Sequence, residues 1–280
     1  MRTVFKDKAL EGHFREHGYC LVQLLEPSDI KRLEEIYYAN RIEEQPAIER
    51  TTNTKNIELS RNVNRLAGEV ITNRLNEYLL NYRKLLSAFI AKIPGKPSKM
   101  RLHQDPTFVD ETRFKALNAW SPLVDVDETN GAVWIVPHSD KFFPGFRGQP
   151  AKEFEFDAIA GQVMNKLGQM VPMKAGQALI YDASLFHFSF ENASGKIRIA
   201  NTTIVVPEEA TPIYYHHNTG LNTLDVYEMG EDFMLRFYSE YLKSGVVEGK
   251  LISRVPYPAP HKVSFSEFEE RYRLFNQPGK

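Results

Sequence analysis

Apolar positions recur at helical spacing in the first third of the chain, then shift to short runs broken by turn residues. Residues 7–17 read as a helix closed by Gly18, and an apolar strand follows over 19–25. Ser28 is placed to cap a second helix, because Ile30, Leu33, Ile36 and Tyr37 share one face through about Arg41. The polar stretch 43–60 contains Thr51-Thr-Asn-Thr-Lys-Asn56, which reads as a loop near the mouth of a site. Asn62 opens a third helix that carries Val63, Leu66, Val70, Leu75 and Leu79 on one side as far as about Leu85.

Beyond that point the pattern predicts strands over 87–93, 100–105, 116–124, 132–136, 169–174, 177–182, 187–191 and 196–206. Thr129-Asn-Gly131 and Lys174-Ala-Gly176 put glycine where a turn needs positive φ. Residues 142–167 form an insertion between strands. After Pro207 come Tyr214-Tyr-His-His217, a helix over about 224–243 and a Pro-rich tail from Pro256 to Pro260. A last helix over 264–275 opens with a Ser264/Glu267 capping box. The whole reads as mainly β with flanking helices: a jelly roll, or double-stranded β-helix of cupin-like type. One domain is expected, with N-terminal helices and a first strand in 1–85, the jelly-roll core in 86–207, and a helical extension outside the barrel in 208–280.

Composition narrows the function classes. Thirty-five Lys and Arg against 36 Asp and Glu give a net charge of −1, and no basic run marks a nucleic-acid groove. The first residues lack the apolar core of a secretory signal, and no run approaches the length of a membrane span, so a cytoplasmic protein with no membrane partner is expected. The one cysteine, Cys20, lies in an apolar strand and reads as a packing thiol. No Gly-x-Ser-x-Gly elbow, phosphate loop or Gly-x-Gly-x-x-Gly is present, which removes common hydrolase and nucleotide-binding readings.

The chemistry concentrates in Arg101-Leu-His-Gln-Asp-Pro106. On a strand, His103 and Asp105 would face the same side and offer one cation a nitrogen and a carboxylate oxygen. His187 completes a two-histidine, one-carboxylate set with positions left open for a cosubstrate and O2. Such donors suit iron, manganese or zinc; the open facial arrangement favours Fe(II). Among the eight histidines, His13 and His17 lie on the first helix, His138 at a strand end, His216 and His217 side by side, and His261 in the tail. None precedes an arginine-bearing strand as His187 does, and His138 reads as loop-ordering. Arg198, inside the apolar run 196–206, needs an anion; a 2-oxo acid supplies one, and a buried acid such as Asp182 is the alternative. Ser189 shares the face of His187 and can add a hydroxyl to the same carboxylate.

Taken together, Phe14 to Tyr19, Lys92-Ile-Pro-Gly-Lys-Pro97, His103-Gln-Asp105, Ala119-Trp-Ser-Pro122, Asn130 to Ser139, His187-Phe-Ser189 and Arg198 resemble the phytanoyl-CoA dioxygenase family of iron- and 2-oxoglutarate-dependent oxygenases. The resemblance implies Fe(II) on His103, Asp105 and His187, 2-oxoglutarate as cosubstrate with its distal carboxylate on Arg198, and Trp120 beside it. Lys92 and Asn118 are lesser candidates. It also implies hydroxylation of a small-molecule substrate with release of succinate and CO2. Related halogenases have a small residue where Asp105 stands, so the carboxylate argues for oxygenation. Substrate contacts are expected from Thr107, Phe108, Arg113, Arg147 and residues 214–217. A non-catalytic metal-binding jelly roll and a metalloenzyme independent of 2-oxo acids are the alternatives.

Overall fold

A computed structural model describes residues 2–42, 46–148, 156–230, 232–236, 247, 249–257 and 262–276. The chain opens with α1 (Lys8–His17), β1 (Tyr19–Gln23), α2 (Pro27–Ala39), β2 (Ile48–Arg50), α3 (Ile57–Tyr78) and β3 (Tyr82–Lys92). Then come β4 (Met100–His103), β5 (Leu117–Pro122), β6 (Val133–Ile135), α4 (Ala160–Lys166), β7 (Gln169–Met170), β8 (Gln177–Asp182), β9 (His187–Ser189) and β10 (Arg198–Pro207). It closes with β11 (Ile213–Asn218), β12 (Thr223–Glu228), α5 (Phe233–Arg236), β13 (Lys250–Pro256) and α6 (Phe265–Phe275).

A six-stranded sheet, β1-β8-β5-β10-β3-β2, faces a four-stranded sheet, β4-β9-β6-β7, and every pairing in both is antiparallel. This is the expected jelly-roll architecture. Strand alternation gives the larger sheet two different faces. Phe89, Ala91, Leu117, Ala119, Ile180 and Ile199 pack outward against Phe14, Leu33, Tyr37, Val63 and Ile71 of the three N-terminal helices. Each large side chain buried there contributes about 1.5–3 kcal/mol, so the helices are integral to the fold. The opposite face, carrying Trp120, Leu179 and Ala200, meets Val133 and Ile135 of the smaller sheet.

The N-terminal 85 residues contribute more than helices and one strand, since both β1 and β2 are built into the large sheet. Helix starts also differ from expectation. Pro27 opens α2, and Glu26 rather than Ser28 is its cap, with Asp29 accepting from the Glu26 N–H at 3.0 Å. Asn56 caps α3 by accepting from Leu59 N at 3.1 Å, six residues before Asn62, which lies inside the helix. Gly18 ends α1 with φ of 81°, and Gly131 and Gly176 have φ of 82° and 89°, as their turns require.

The helix expected over 224–243 is corrected over 224–228, which is a strand, while 233–236 within it are helical. Asn222, at φ of 53°, turns the chain so that β12 pairs between β11 and β13 in a third sheet. Leu224 and Val226, at alternate positions, are buried there, so strand pairing overrides the apparent helical spacing. The described part of α5 is Phe233–Arg236, 237–246 lie outside the described residues, and the tail residue Pro256 ends a strand. Among the described residues the extension after 207 therefore contains a three-stranded sheet as well as helices. Among the described residues no helix is long and apolar enough to cross a membrane.

Ser264 caps α6 by accepting from Glu267 N at 3.2 Å. The helix is not merely outside the barrel: Phe268 is fully buried against Phe142, Phe143 and Phe186, with ring centroids 5.5, 5.6 and 5.3 Å away. The insertion thus packs an aromatic block between α6 and the smaller sheet. Phe268→Ala is expected to cost about 3–5 kcal/mol in urea unfolding, whereas a loss under about 1 kcal/mol would show that α6 is not part of the core.

Candidate active site

Strand β4 stops at His103, and His187 of β9 stands directly opposite it in register. Their rings lie 4.1 Å apart between centroids. Asp105 has already left the strand, so strand alternation is not what aligns it with His103. Its N–H donates to Ala183 O at 2.9 Å, and the resulting turn brings the carboxylate back toward the two rings. One ligand atom from each of His103, Asp105 and His187 lies within 4.8 Å of the others. His103 Nδ1 donates to Arg101 O at 2.8 Å and His187 Nδ1 to Leu185 O at 3.0 Å. A carbonyl accepts only, so each Nδ1 carries the proton and each Nε2 keeps its lone pair for a metal. Burial, followed by the nearby His187, holds the His103 imidazole well below the usual histidine range; Arg50 adds to the effect and Asp105 opposes it. The neutral form is the one that binds metal.

A second ring of contacts fixes Asp105. Asn118 Nδ2 donates to its Oδ2 at 3.2 Å, and Thr202 donates to Asn118 Oδ1 at 2.7 Å, which sets the amide's direction. Arg147 donates to the Asp105 carbonyl at 2.6 Å while its guanidinium forks onto Glu111. The Tyr181 hydroxyl lies 3.3 Å from His187 Nε2. His138 is remote from these residues. It sits at φ of 63° and donates from Nδ1 to Glu16 O at 2.6 Å, tying the smaller sheet's rim to α1 as a loop-ordering residue would.

Deeper in the sandwich the large sheet presents two buried cations. Register places Arg198 of β10 opposite Lys92 of β3 on the same face. Arg198 is 2% exposed; its Nη1 donates to Ile90 O at 3.3 Å, its guanidinium lies 5.2 Å from the Trp120 ring centre, and its Nε has no partner. Burial pushes it down to about 9. Lys92, fully buried, donates to Ser189 Oγ at 2.7 Å and to Phe190 O. Burial, then Arg198, pulls its ammonium down to about 7, with Glu191 opposing. Gly131 is needed beside it, because a Cβ there would meet Phe190 O at 2.8 Å and Lys92 Nζ at 3.0 Å. Asp182, the rival partner for Arg198, is instead held by Lys115 at 2.6 Å. Two desolvated cations facing each other without an acid cost several kcal/mol unless an anion joins them.

Both clusters border one cavity of about 420 Å³, which the metal trio, Trp120, Ser189 and Arg198 line. The loop over 51–56 does approach its mouth through Thr52. The expected substrate contacts lie elsewhere: Phe108 and Tyr214 are core residues, Thr107 accepts from Arg147 N, and Arg113 stacks on Phe114. In their place Arg50, Lys99, Arg101, Gln104 and Tyr181 line the cavity. Tyr181 could have been found from the alternation of β8. Arg50 was hidden in a polar stretch whose strand is three residues long.

The sequence profile of the family Phytanoyl-CoA dioxygenase (PhyH) matches residues 14–200. A phytanoyl-CoA dioxygenase of Arabidopsis thaliana is 32% identical over 139 residues, 46% of this chain and 47% of that protein. A phytanoyl-CoA dioxygenase domain-containing protein 1 of Danio rerio is 28% identical over 139 residues, 48% of each. The chain spans about half the length of the curated relatives it matches. Among solved structures, the non-heme alpha-ketoglutarate-dependent carbocyclase SnoK from nogalamycin biosynthesis is 19% identical with a TM-score of 0.53, covering 74% of this chain and 86% of its own. HygX from Streptomyces hygroscopicus, with nickel, 2-oxoglutarate and hygromycin B bound, is 14% identical with a TM-score of 0.53, covering 72% and 88%. These two likenesses concern the fold.

Because Asn118 orients the Asp105 carboxylate, Asn118→Ala is expected to weaken anaerobic Fe(II) binding by roughly 10- to 100-fold while the chain stays folded. Unchanged metal affinity would mean that the amide has no hold on the ligand.

Proposed function

The chain belongs to the phytanoyl-CoA dioxygenase (PhyH) family, and from that premise we propose that it is an Fe(II)- and 2-oxoglutarate-dependent dioxygenase that hydroxylates an unactivated C–H bond of a small-molecule metabolite. The observation that carries this reading is Arg198: a buried guanidinium without an acid among the described residues, on the wall of the same cavity as a His-Asp-His cluster. The donor set fits an iron ion, since two neutral imidazoles and one carboxylate would leave part of its coordination sphere for other ligands. The unfilled Nε of Arg198 fits a carboxylate.

His103, Asp105 and His187 would hold Fe(II), which when bound supplies oxygen activation coupled to conversion of 2-oxoglutarate into succinate and CO2. The remaining roles belong to the chain itself. Arg198 receives the distal carboxylate as a two-pronged donor, Ser189 adds its hydroxyl, and Lys92 hydrogen-bonds to Ser189 and supplies a second positive charge. The indole of Trp120 backs the guanidinium and keeps water from that end. Leu86, Ala88, Ile90 and Ile204 give the cavity an apolar wall against which a carbon skeleton can lie. Ring closure or epimerisation could follow the same removal of hydrogen, and proteins of similar fold are described as a carbocyclase and an epimerase. A metal-binding protein without catalysis, or an enzyme needing no 2-oxo acid, would have no use for the paired cations.

Mixing the chain with Fe(II) and 2-oxoglutarate without oxygen is expected to produce a visible charge-transfer band. Asp105→Ala should lose the band together with tight metal binding, because one of three protein ligands is gone. Arg198→Ala should keep metal binding but raise the 2-oxoglutarate concentration needed by roughly 30- to 1000-fold, the equivalent of about 2–4 kcal/mol of charge-assisted bonding. A band of normal intensity in Asp105→Ala, or an unshifted 2-oxoglutarate titration in Arg198→Ala, would overturn these roles.

A further inference from the structure

β2 is an edge strand of three residues whose side chains alternate. Glu49 is turned away from the cavity and is held by Arg41 at 3.1 Å, whereas Ile48 and Arg50 line the cavity. The Arg50 guanidinium is half-buried, and its nearest polar contact is the Met100 sulfur at 3.9 Å. It has no carboxylate partner among the described residues. The start of β4 brings two more cations to the same mouth: Lys99, whose ammonium lies 5.7 Å from the Phe190 ring centre, and Arg101, which Asp157 approaches. Among the described residues the only acid in the cavity lining is Asp105, and it belongs to the metal trio.

Charge decides what this rim is for. On the oxygenase reading, the two positive charges of Fe(II) and the one on Arg198 balance the 2-oxoglutarate dianion and Asp105. The loaded interior is then neutral with Lys92 uncharged, and more positive with Lys92 protonated. Arg50 and Lys99 are left over at the opening, beside the apolar wall formed by Leu86, Ala88, Ile90 and Ile204. A half-buried guanidinium is a planar two-pronged donor that suits a carboxylate, phosphate or sulfate oxygen pair.

We infer that the substrate is a small organic anion, its acidic group held at the cavity mouth by Arg50 with help from Lys99, and its apolar skeleton lying along the β3–β10 wall toward the metal trio. The inference rests on the proposed oxygenase function and narrows it to a substrate class. The same guanidinium could instead meet a carboxylate of the cosubstrate, and the test separates the two sources.

The probes are linear carboxylates from butanoate to decanoate and the matching primary amides, titrated calorimetrically into the chain loaded anaerobically with Fe(II) and 2-oxoglutarate. At the best chain length the acid is expected to bind at least about 10-fold more tightly than its amide, and Arg50→Gln to reduce that preference below about threefold. Arg50→Lys, which keeps the charge without the fork, should retain part of the preference. The 2-oxoglutarate titration of the charge-transfer band should move by less than about threefold in Arg50→Gln. Equal binding of acids and amides by the parent chain, or a preference that survives Arg50→Gln, would overturn the inference. So would a tenfold or greater loss of 2-oxoglutarate affinity in Arg50→Gln, which would assign Arg50 to the cosubstrate. A missing charge-transfer band in the parent chain would count against the oxygenase reading instead. The acid-against-amide comparison on the metal-free chain, with and without Arg50→Gln, then still decides the role of Arg50.

Discussion

A guanidinium buried to 2% exposure, with no acid to meet it among the described residues, is the constraint around which this molecule is organised. Arg198 sits in a strand paired on both sides, by β3 and β5, so it cannot swing out to solvent without breaking the large sheet. The register that fixes Arg198 also fixes Lys92 opposite it and Trp120 beside it. On the proposed function, a dianionic ligand offsets this desolvation cost.

The smaller sheet answers that constraint from across the cavity. Its pairing of β4 with β9 sets His103 against His187, and the backbone carbonyls of Arg101 and Leu185 lock both rings with the lone pair of Nε2 available to a metal. Asp105 is oriented from the large sheet, through Asn118 and Thr202. Each sheet therefore contributes to the other's site, so the cation cluster and the metal cluster depend on one sandwich geometry. Further out, Arg50 and Lys99 at the mouth extend the same charge argument to the proposed substrate.

Much of this was legible in the sequence, for reasons that can be named. The candidate set His103, Asp105, His187 and Arg198 was readable because its residue types suit one metal and one anion, whereas the turn that brings Asp105 back to His103 is not visible in strand alternation. The caps at Asn56 and Glu26 were misplaced because Asn62 and Ser28 are also plausible caps, and only backbone geometry separates them. The 224–228 segment was misread because its apolar spacing fits a helix as well as a strand, and its true partners lie in β11 and β13. Lys92 was ranked low and Arg50 was missed because their placement depends on cross-strand register, which a single sequence does not display. The packing role of α6 likewise depends on Phe142 and Phe186, more than 80 positions earlier in the chain.

The central claim is that the metal cluster and the Arg198 seat serve one reaction on 2-oxoglutarate. Oxygen uptake and succinate formation, followed together in air with Fe(II) and 2-oxoglutarate and no added substrate, test it directly. Slow uncoupled turnover is expected, with oxygen consumed and succinate formed in step, both stopped by removing the iron. Oxygen uptake indifferent to 2-oxoglutarate, or no succinate from a chain that binds both iron and 2-oxoglutarate, would contradict the account.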